Sequence, residues 1–198
     1  MRKGENTNRP AKESKIKVDP IRELKDIKLI KKLLTDNPRN LCLFVLGINT
    51  NLRASDLLRI TAGQVRHLQP GDTLNLKEKK TGKHRAITVN KAVVEAAQRL
   101  LRAKEYQDAD LLFTGQRGAL TVPTINAMVK GWCREIKLPG NYGSHTLRKT
   151  FGYHQRVTAG TSIVELMTMF NHSSQKQTLE YLGIQPEEIK SAYLRLEL

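Results

Sequence analysis

Six residues of this chain, Arg53, Lys80, His145, Arg148, His172 and Tyr181, are of types that could do phosphodiester chemistry. Breaking a phosphodiester without a metal requires fixed donors for the two non-bridging oxygens, a nucleophile in line with phosphorus, and an acid for the departing oxygen. Arginine suits the first task, because its planar fork matches phosphate oxygens and keeps its charge. A tyrosine hydroxyl can be the nucleophile, although its ordinary pKa of about 10 means that it must be activated in place.

Each local motif also has a plainer interpretation. In Asn49-Thr50-Asn51-Leu52-Arg53-Ala54-Ser55-Asp56-Leu57 a turn delivers Arg53 at a helix start, with Asp56 on the same face to hold its guanidinium. Alone, such a pair is an ordinary surface ion pair. Lys79-Lys80-Thr81-Gly82-Lys83-His84-Arg85 is a basic hairpin turn whose tip can project a lysine toward a leaving oxygen, or merely keep an edge soluble. In Ser144-His145-Thr146-Leu147-Arg148, Ser144 is a fair helix cap, and His145 and Arg148 share one face where both can meet a single phosphate. A histidine near a helix start is equally a capped core residue. Asn171-His172-Ser173-Ser174 is followed by Tyr181, with Ser173 or Ser174 capping a short helix that presents the tyrosine at its far end. A lone tyrosine there would ordinarily be packing.

The elements that must position these residues can be read from periodicity. Ile27, Ile30, Leu33 and Leu34 recur at helical spacing after Pro20, and Pro38 opens a helix that is apolar nearly all round from Leu41 to Ile48 and so should be the buried one. Helical spacing returns over Arg53 to Ile60, Lys91 to Lys104, Thr121 to Ile136, Thr146 to Thr158, Ser162 to Phe170, Gln175 to Leu182 and Pro186 to Leu196. Between Val65 and Asn90 the pairs Val65 and Leu68, Leu74 and Leu76, and Ile87 and Val89 predict three short strands, with turns at Pro70-Gly71-Asp72 and Thr81-Gly82-Lys83. The expected fold is α+β and mainly α-helical, with a small three-stranded antiparallel sheet near its middle.

The chain has 198 residues, enough for one domain with a real core, and 34 lysines and arginines stand against 19 acidic residues, a net charge of +15. That excess calls for a polyanion, and nucleic acid is the usual one. An anionic membrane is disfavoured, because the chain has no 18-residue apolar run, no signal peptide and no terminal basic amphipathic helix with an aromatic face. A soluble cytoplasmic protein is expected. Cys42 and Cys133 lie far apart in apolar surroundings, match no zinc spacing and are expected in the core. His67 and His154 read as structural or surface residues, and His84 as part of the basic turn. Residues 1–19 carry many basic and few apolar residues and predict a disordered basic arm.

In order and spacing the six residues resemble the active-site set of the tyrosine recombinases, the phage integrase family. His145 precedes Arg148 by three positions, His172 follows by 24 and Tyr181 by nine more. Thr50 to Leu58, Lys80 to Lys83, His145 to Thr150 and His172 to Tyr181 carry the likeness, which with the order of helices and sheet spans about Pro20 to the C-terminus. The resemblance implies the helical catalytic domain of the DNA breaking-rejoining enzymes over residues 20–198. By it, Tyr181 attacks the scissile phosphate and is joined to the 3′ phosphate, Arg53 and Arg148 hold the non-bridging oxygens, and His172 adds a hydrogen bond. His145 is base or proton manager, and Lys80 protonates the leaving 5′ oxygen.

The implied partner is double-stranded DNA, bound by a homotetramer, with a monomer as one state open to the free protein. No cofactor, metal, small-molecule ligand or membrane is implied. Members of the family generally carry a second, helical DNA-clamping domain before the catalytic one, whereas only the basic arm is expected before Pro20. Asn171 stands where the family mostly has glycine, and asparagine also tolerates the left-handed backbone. Tyr193 is the runner-up nucleophile, and Pro186 to Leu198 is where a segment exchanged between subunits would lie. A non-catalytic DNA-binding relative, a relaxing topoisomerase and a plain helix-turn-helix regulator are the competing functions. All six positions hold chemically competent residues, which favours the enzyme.

Overall fold

Asn37, Asn90, Thr121 and Ser162 each stand before an apolar run, and each caps a helix by accepting the backbone N–H three residues on. A computed structural model describes residues 18–116, 118–182, 190 and 193–195. Its helices are α1 (Leu24–Leu33), α2 (Pro38–Asn49), α3 (Ala54–Leu57), α4 (Ala62–Arg66), α5 (Lys91–Ala103), α6 (Val122–Glu135), α7 (Ser144–Tyr153), α8 (Ile163–Phe170) and α9 (Gln175–Leu182). The strands are β1 (Thr73–Lys77), β2 (His84–Thr88), β3 (Thr114–Gly115) and β4 (Gly118–Ala119). The chain is thus mainly helical, as expected.

As its all-round apolar sequence requires, α2 is the central helix, with Cys42 to Gly47 buried, and it packs on α5 and α7. Phe44 meets Trp132 of α6 edge to face at 6.0 Å. Cys42 and Cys133 are buried free thiols, as read from the sequence. Burial pushes the Cys133 thiol up to about 12 and the Cys42 thiol higher still, so both are packing residues.

The sheet differs from expectation. Val65 lies on α4 and Leu68 just beyond it, and β1 pairs only with β2, in an antiparallel register running from Thr73 opposite Thr88 to Lys77 opposite His84. The second pairing, β3 with β4, is separate. The reason lies in the spacing: Val65 and Leu68 are three apart, which suits one face of a helix as well as a strand, and Gln64 reaches back to the Thr61 backbone N–H at 3.0 Å to start that helix. Residues 1–17, the body of the expected basic arm, lie outside the described residues, as does most of the segment from Pro186 to Leu198. Among the described residues no helix is long and apolar enough to cross a membrane.

Two features hold α7, the helix that carries His145 and Arg148. Its N-terminus is capped from α6, with Asn126 Oδ1 accepting from Ser144 N at 3.1 Å, so Ser144 is the first helical residue and not the cap. Its far end continues into a π-helical turn, His154–Thr158, where Ala159 N reaches His154 O at 2.9 Å. His154 Nε2 lies 3.0 Å from Ile21 O, and Ile21 N donates to Thr150 Oγ1 at 2.9 Å, which gives His154 the structural role expected of it.

Gly152 of α7 faces side chains of α8 and α9: a Cβ there would lie 2.7 Å from Phe170 Cζ and closer still to Leu182. Gly152→Ala is expected to cost about 1–3 kcal/mol through overpacking. Chemical denaturation should therefore show a lowered midpoint, whereas an unchanged midpoint would mean that α9 yields freely.

Candidate active site

The organising feature of the site is the C-terminal end of α8. Asn171 adopts the left-handed backbone (φ 54°, ψ 42°), so the chain reverses there and His172 N returns to Met167 O at 3.0 Å. Asparagine meets the requirement at the position where the sequence departs from glycine. The last carbonyls of the helix have no partners within it and carry the negative end of its dipole. Three side chains distant in sequence bind them. Asn51 Nδ2 and Arg85 Nη2 both donate to Met169 O, and Arg148 Nη2 donates to Phe170 O at 2.9 Å.

Arg53 is the residue before α3, and its Nη1 lies 2.8 Å from Glu78 Oε2 and 3.9 Å from Asp56 Oδ2. The sequence assigned the hold on Arg53 to Asp56. Glu78 is the nearer partner, and Asp56 Oδ1 mainly ties α3 to the hairpin by accepting from Lys79 N at 2.7 Å. Glu78 is wholly buried at the base of the turn that carries Lys80, and its other oxygen accepts from Arg85 Nη1 at 3.0 Å. Burial alone would raise this carboxyl, but hydrogen bonds from Thr81 and Arg85 and the adjacent charge of Arg53 outweigh it and hold the group at about 2. Lys80 itself is exposed at the hairpin tip.

Arg148 is 3% exposed, and its Nε and Nη1 have no hydrogen-bond partner. Its guanidinium carbon sits 5.0 Å from the Phe170 ring centroid and 5.8 Å from that of Tyr181. Burial lowers its pKa to about 10, so the group remains charged at neutral pH. Tyr181, on α9, packs at 5.1 Å from Phe170 and 5.8 Å from His172, and its buried hydroxyl has no partner among the described residues. Burial raises this phenol to about 12 against the pull of Arg148 and Arg53. His145, one turn before Arg148, is exposed, and its pKa is lowered by partial desolvation and then by Arg148, Arg53, Lys149 and Lys80.

His172 Nδ1 lies 3.0 Å from the buried Thr178 Oγ1. Its pKa falls to about 4, from desolvation first and then from Arg148, Arg53 and Arg85. A histidine whose folded pKa lies below its unfolded value, ordinarily about 6.5, stabilises the fold fully above 6.5 and loses that contribution as the pH drops toward 4. The melting temperature should therefore fall over that window, and the fall should be shallower in His172→Gln. Parallel curves for the two proteins would show that His172 is not the titrating group.

Of the six residues singled out in the sequence, Arg53, Arg148, His172 and Tyr181 converge around the α8 terminus. His145 and Lys80 stand at the exposed edge, near enough for the charge of Lys80 to be felt at His145. Sequence reasoning missed Glu78, Arg85, Asn51 and Thr178. The alternation of β2 was the available signal for Arg85, which occupies an inward position flanked by exposed residues. Tyr193 is 82% exposed.

The sequence profile of the phage integrase family matches residues 22–188. The probable integrase/recombinase YoeC of Bacillus subtilis (strain 168) is 36% identical over 181 residues, which cover 89% of this chain and 95% of that protein. The fold is similar to the crystal structure of XerA recombinase, with a TM-score of 0.72 at 18% identity over 91% of this chain and 67% of that one. It is also similar to the catalytic domain of bacteriophage HP1 integrase, with a TM-score of 0.59 at 20% identity over 90% and 95%. The profile match over most of the chain and the relative aligned along nearly its whole length lead to one conclusion: this chain belongs to the phage integrase family of site-specific recombinases.

Proposed function

We propose that the protein breaks and rejoins duplex DNA by transesterification through a 3′-phosphotyrosine intermediate, with Tyr181 as nucleophile. The observation that carries this is the buried guanidinium of Arg148, whose Nε and Nη1 have no acceptor, beside a tyrosine hydroxyl that also has none. A buried cation with two empty donors is costly, and a phosphate oxygen satisfies both donors and the charge. Arg53 supplies the second guanidinium for the non-bridging oxygens, and His172 adds a hydrogen bond.

In the forward step the Tyr181 oxygen bonds to phosphorus and the bond from phosphorus to the 5′ oxygen breaks. The phenol proton passes to His145, and Lys80 donates a proton to the 5′ oxygen. Attack by a 5′ hydroxyl on the phosphotyrosine reverses the step. One phosphodiester is exchanged for another of similar energy, so the reaction requires no ATP, and Arg53 and Arg148 supply the charge that a metal would otherwise bring to the phosphate oxygens. The high pKa of Tyr181 keeps it protonated until a base acts, and the exposed His145 is little charged at neutral pH and so able to accept a proton.

Residues 20–198 serve as the catalytic domain and residues 1–19 as a basic arm on the DNA backbone. The working assembly on DNA is a tetramer formed from monomers, in the cytoplasm of a prokaryote. The solved structure of XerH recombinase on a difH substrate in a post-cleavage state has a similar fold, with a TM-score of 0.72 at 18% identity over 92% of this chain and 54% of that one. The test is covalent capture: incubate the protein in EDTA with nicked duplexes drawn from the DNA flanking its own gene and resolve the products on a denaturing gel. A protein-DNA adduct is expected, and firm salt-sensitive binding without one would make the protein a non-catalytic DNA-binding relative.

A further inference from the structure

Glu78 lies two residues before Lys80 and has no place in the chemistry described above, yet its carboxylate meets Arg53, Arg85 and the turn that carries Lys80. Its side chain has no solvent exposure. One oxygen, Oε2, lies 2.8 Å from Arg53 Nη1 and accepts from Thr81 Oγ1 at 2.6 Å, and the other, Oε1, accepts from Arg85 Nη1 at 3.0 Å. Thr81 follows Lys80 directly, so this bond closes the turn that carries the lysine onto the group that holds Arg53. Arg85 spans the gap to Met169 O, one residue from the carbonyl that binds Arg148.

We propose that Glu78 is a positioning residue for strand cleavage, a buried anion that fixes the Arg53 guanidinium and the Lys80 turn relative to one scissile phosphate. This rests on the recombinase function proposed above. The electrostatics support the geometry. Arg53, Arg85 and Arg148 bring three positive charges toward a site that must also admit a DNA phosphate, and without an anion among them they would repel one another. Glu78 neutralises one charge and, with both oxygens committed to protein donors, leaves phosphate recognition to the arginines. Asp56, the other buried carboxylate, ties α3 to the same hairpin through Lys79 N but lies 3.9 Å from Arg53 Nη1, so the short contact to that guanidinium belongs to Glu78 at 2.8 Å.

Glu78 is assigned no contact with DNA, so its loss should slow cleavage without weakening binding. Glu78→Gln keeps the shape and removes the charge. On nicked duplexes at saturating protein its single-turnover cleavage rate should fall about 100-fold, the usual cost of misplacing one transition-state donor, with the DNA dissociation constant changed less than about threefold. A second substrate separates the two arms of the effect. Replacing the bridging 5′ oxygen by sulfur gives a leaving group that needs no proton, so the part of the loss that arises through Lys80 should be restored and the part through Arg53 should not. Recovery of about tenfold is expected in Glu78→Gln, against nearly full recovery in Lys80→Ala.

Glu78→Asp retains the charge on a shorter arm and should cleave at a rate between those of wild type and Glu78→Gln. It also decides the matter if Glu78→Gln fails to fold. Wild-type cleavage rates in a folded Glu78→Gln or in Glu78→Asp would overturn the proposal, as would a loss seen only in DNA affinity. Failure of the wild-type protein to form any adduct would instead overturn the recombinase function, and the role of Glu78 with it.

Discussion

Tyr181→Phe is expected to form no covalent adduct with DNA and to melt at a higher temperature than the wild-type protein. The first half follows from removal of the nucleophilic oxygen, for which none of the neighbouring side chains substitutes. The second half follows from the surroundings of that oxygen, which is buried with no partner among the described residues. Such an orphan costs about 1–3 kcal/mol of desolvation, which phenylalanine avoids. The ring contacts with Phe170 and His172, and the Lys149 ammonium 5.6 Å from the ring centroid, need not change. For a chain of this size each kcal/mol moves the midpoint by about 2–4 °C, within reach of a thermal melt. An adduct formed by Tyr181→Phe would remove Tyr181 as nucleophile. A lower melting temperature would show that the hydroxyl has a partner after all.

The second large effect is expected at Arg148. Arg148→Met should reduce cleavage on the order of 1,000-fold while leaving the melting temperature no lower than wild type. The guanidinium contributes one protein hydrogen bond, to Phe170 O, against the cost of burying a charge with two donors unpaired. Replacing a buried, poorly paired charge by an apolar chain of similar length is commonly neutral or stabilising. On the proposed function the balance would reverse with DNA bound, because the two donors would meet the charge on the non-bridging oxygens. Arg148→Lys should also fail, since an ammonium cannot reproduce a planar fork held by a carbonyl at one nitrogen. Cleavage by Arg148→Met within tenfold of wild type would mean that Arg53 alone carries the phosphate. A sharp fall in melting temperature would mean that the guanidinium is chiefly structural.

Both predictions follow from one observation and the proposed function: the site keeps polar groups buried and unpaired that a bound phosphate would satisfy. Of its neutral neighbours, Asn51 shows the same strain, with a positive φ of 55° and an unpartnered Oδ1, while its amide nitrogen holds Met169 O. Backbone strain and unpaired polar atoms cluster where a site is shaped for a ligand.

The sequence alone determined α2, α5, α6 and α8 and their caps, because Asn37, Asn90, Thr121 and Ser162 act on N–H groups three residues away and the apolar spacing of α2 and α5 is local. It also determined the intervals among His145, Arg148, His172 and Tyr181, since two short helices separated by a helix and a reversal at Asn171 leave little freedom between them. Only the tertiary structure decided what surrounds those side chains. Residues 51, 78, 85, 148 and 169 are distant along the chain, and nothing in local periodicity says that an inward strand arginine will reach a carbonyl at the end of α8, or that Glu78 and not Asp56 will hold Arg53. Helix pattern is a property of neighbours three and four apart. The polarity, burial and pairing of a site are properties of groups that meet only when the core closes, so the candidate catalytic residues were legible and the groups that surround them were not.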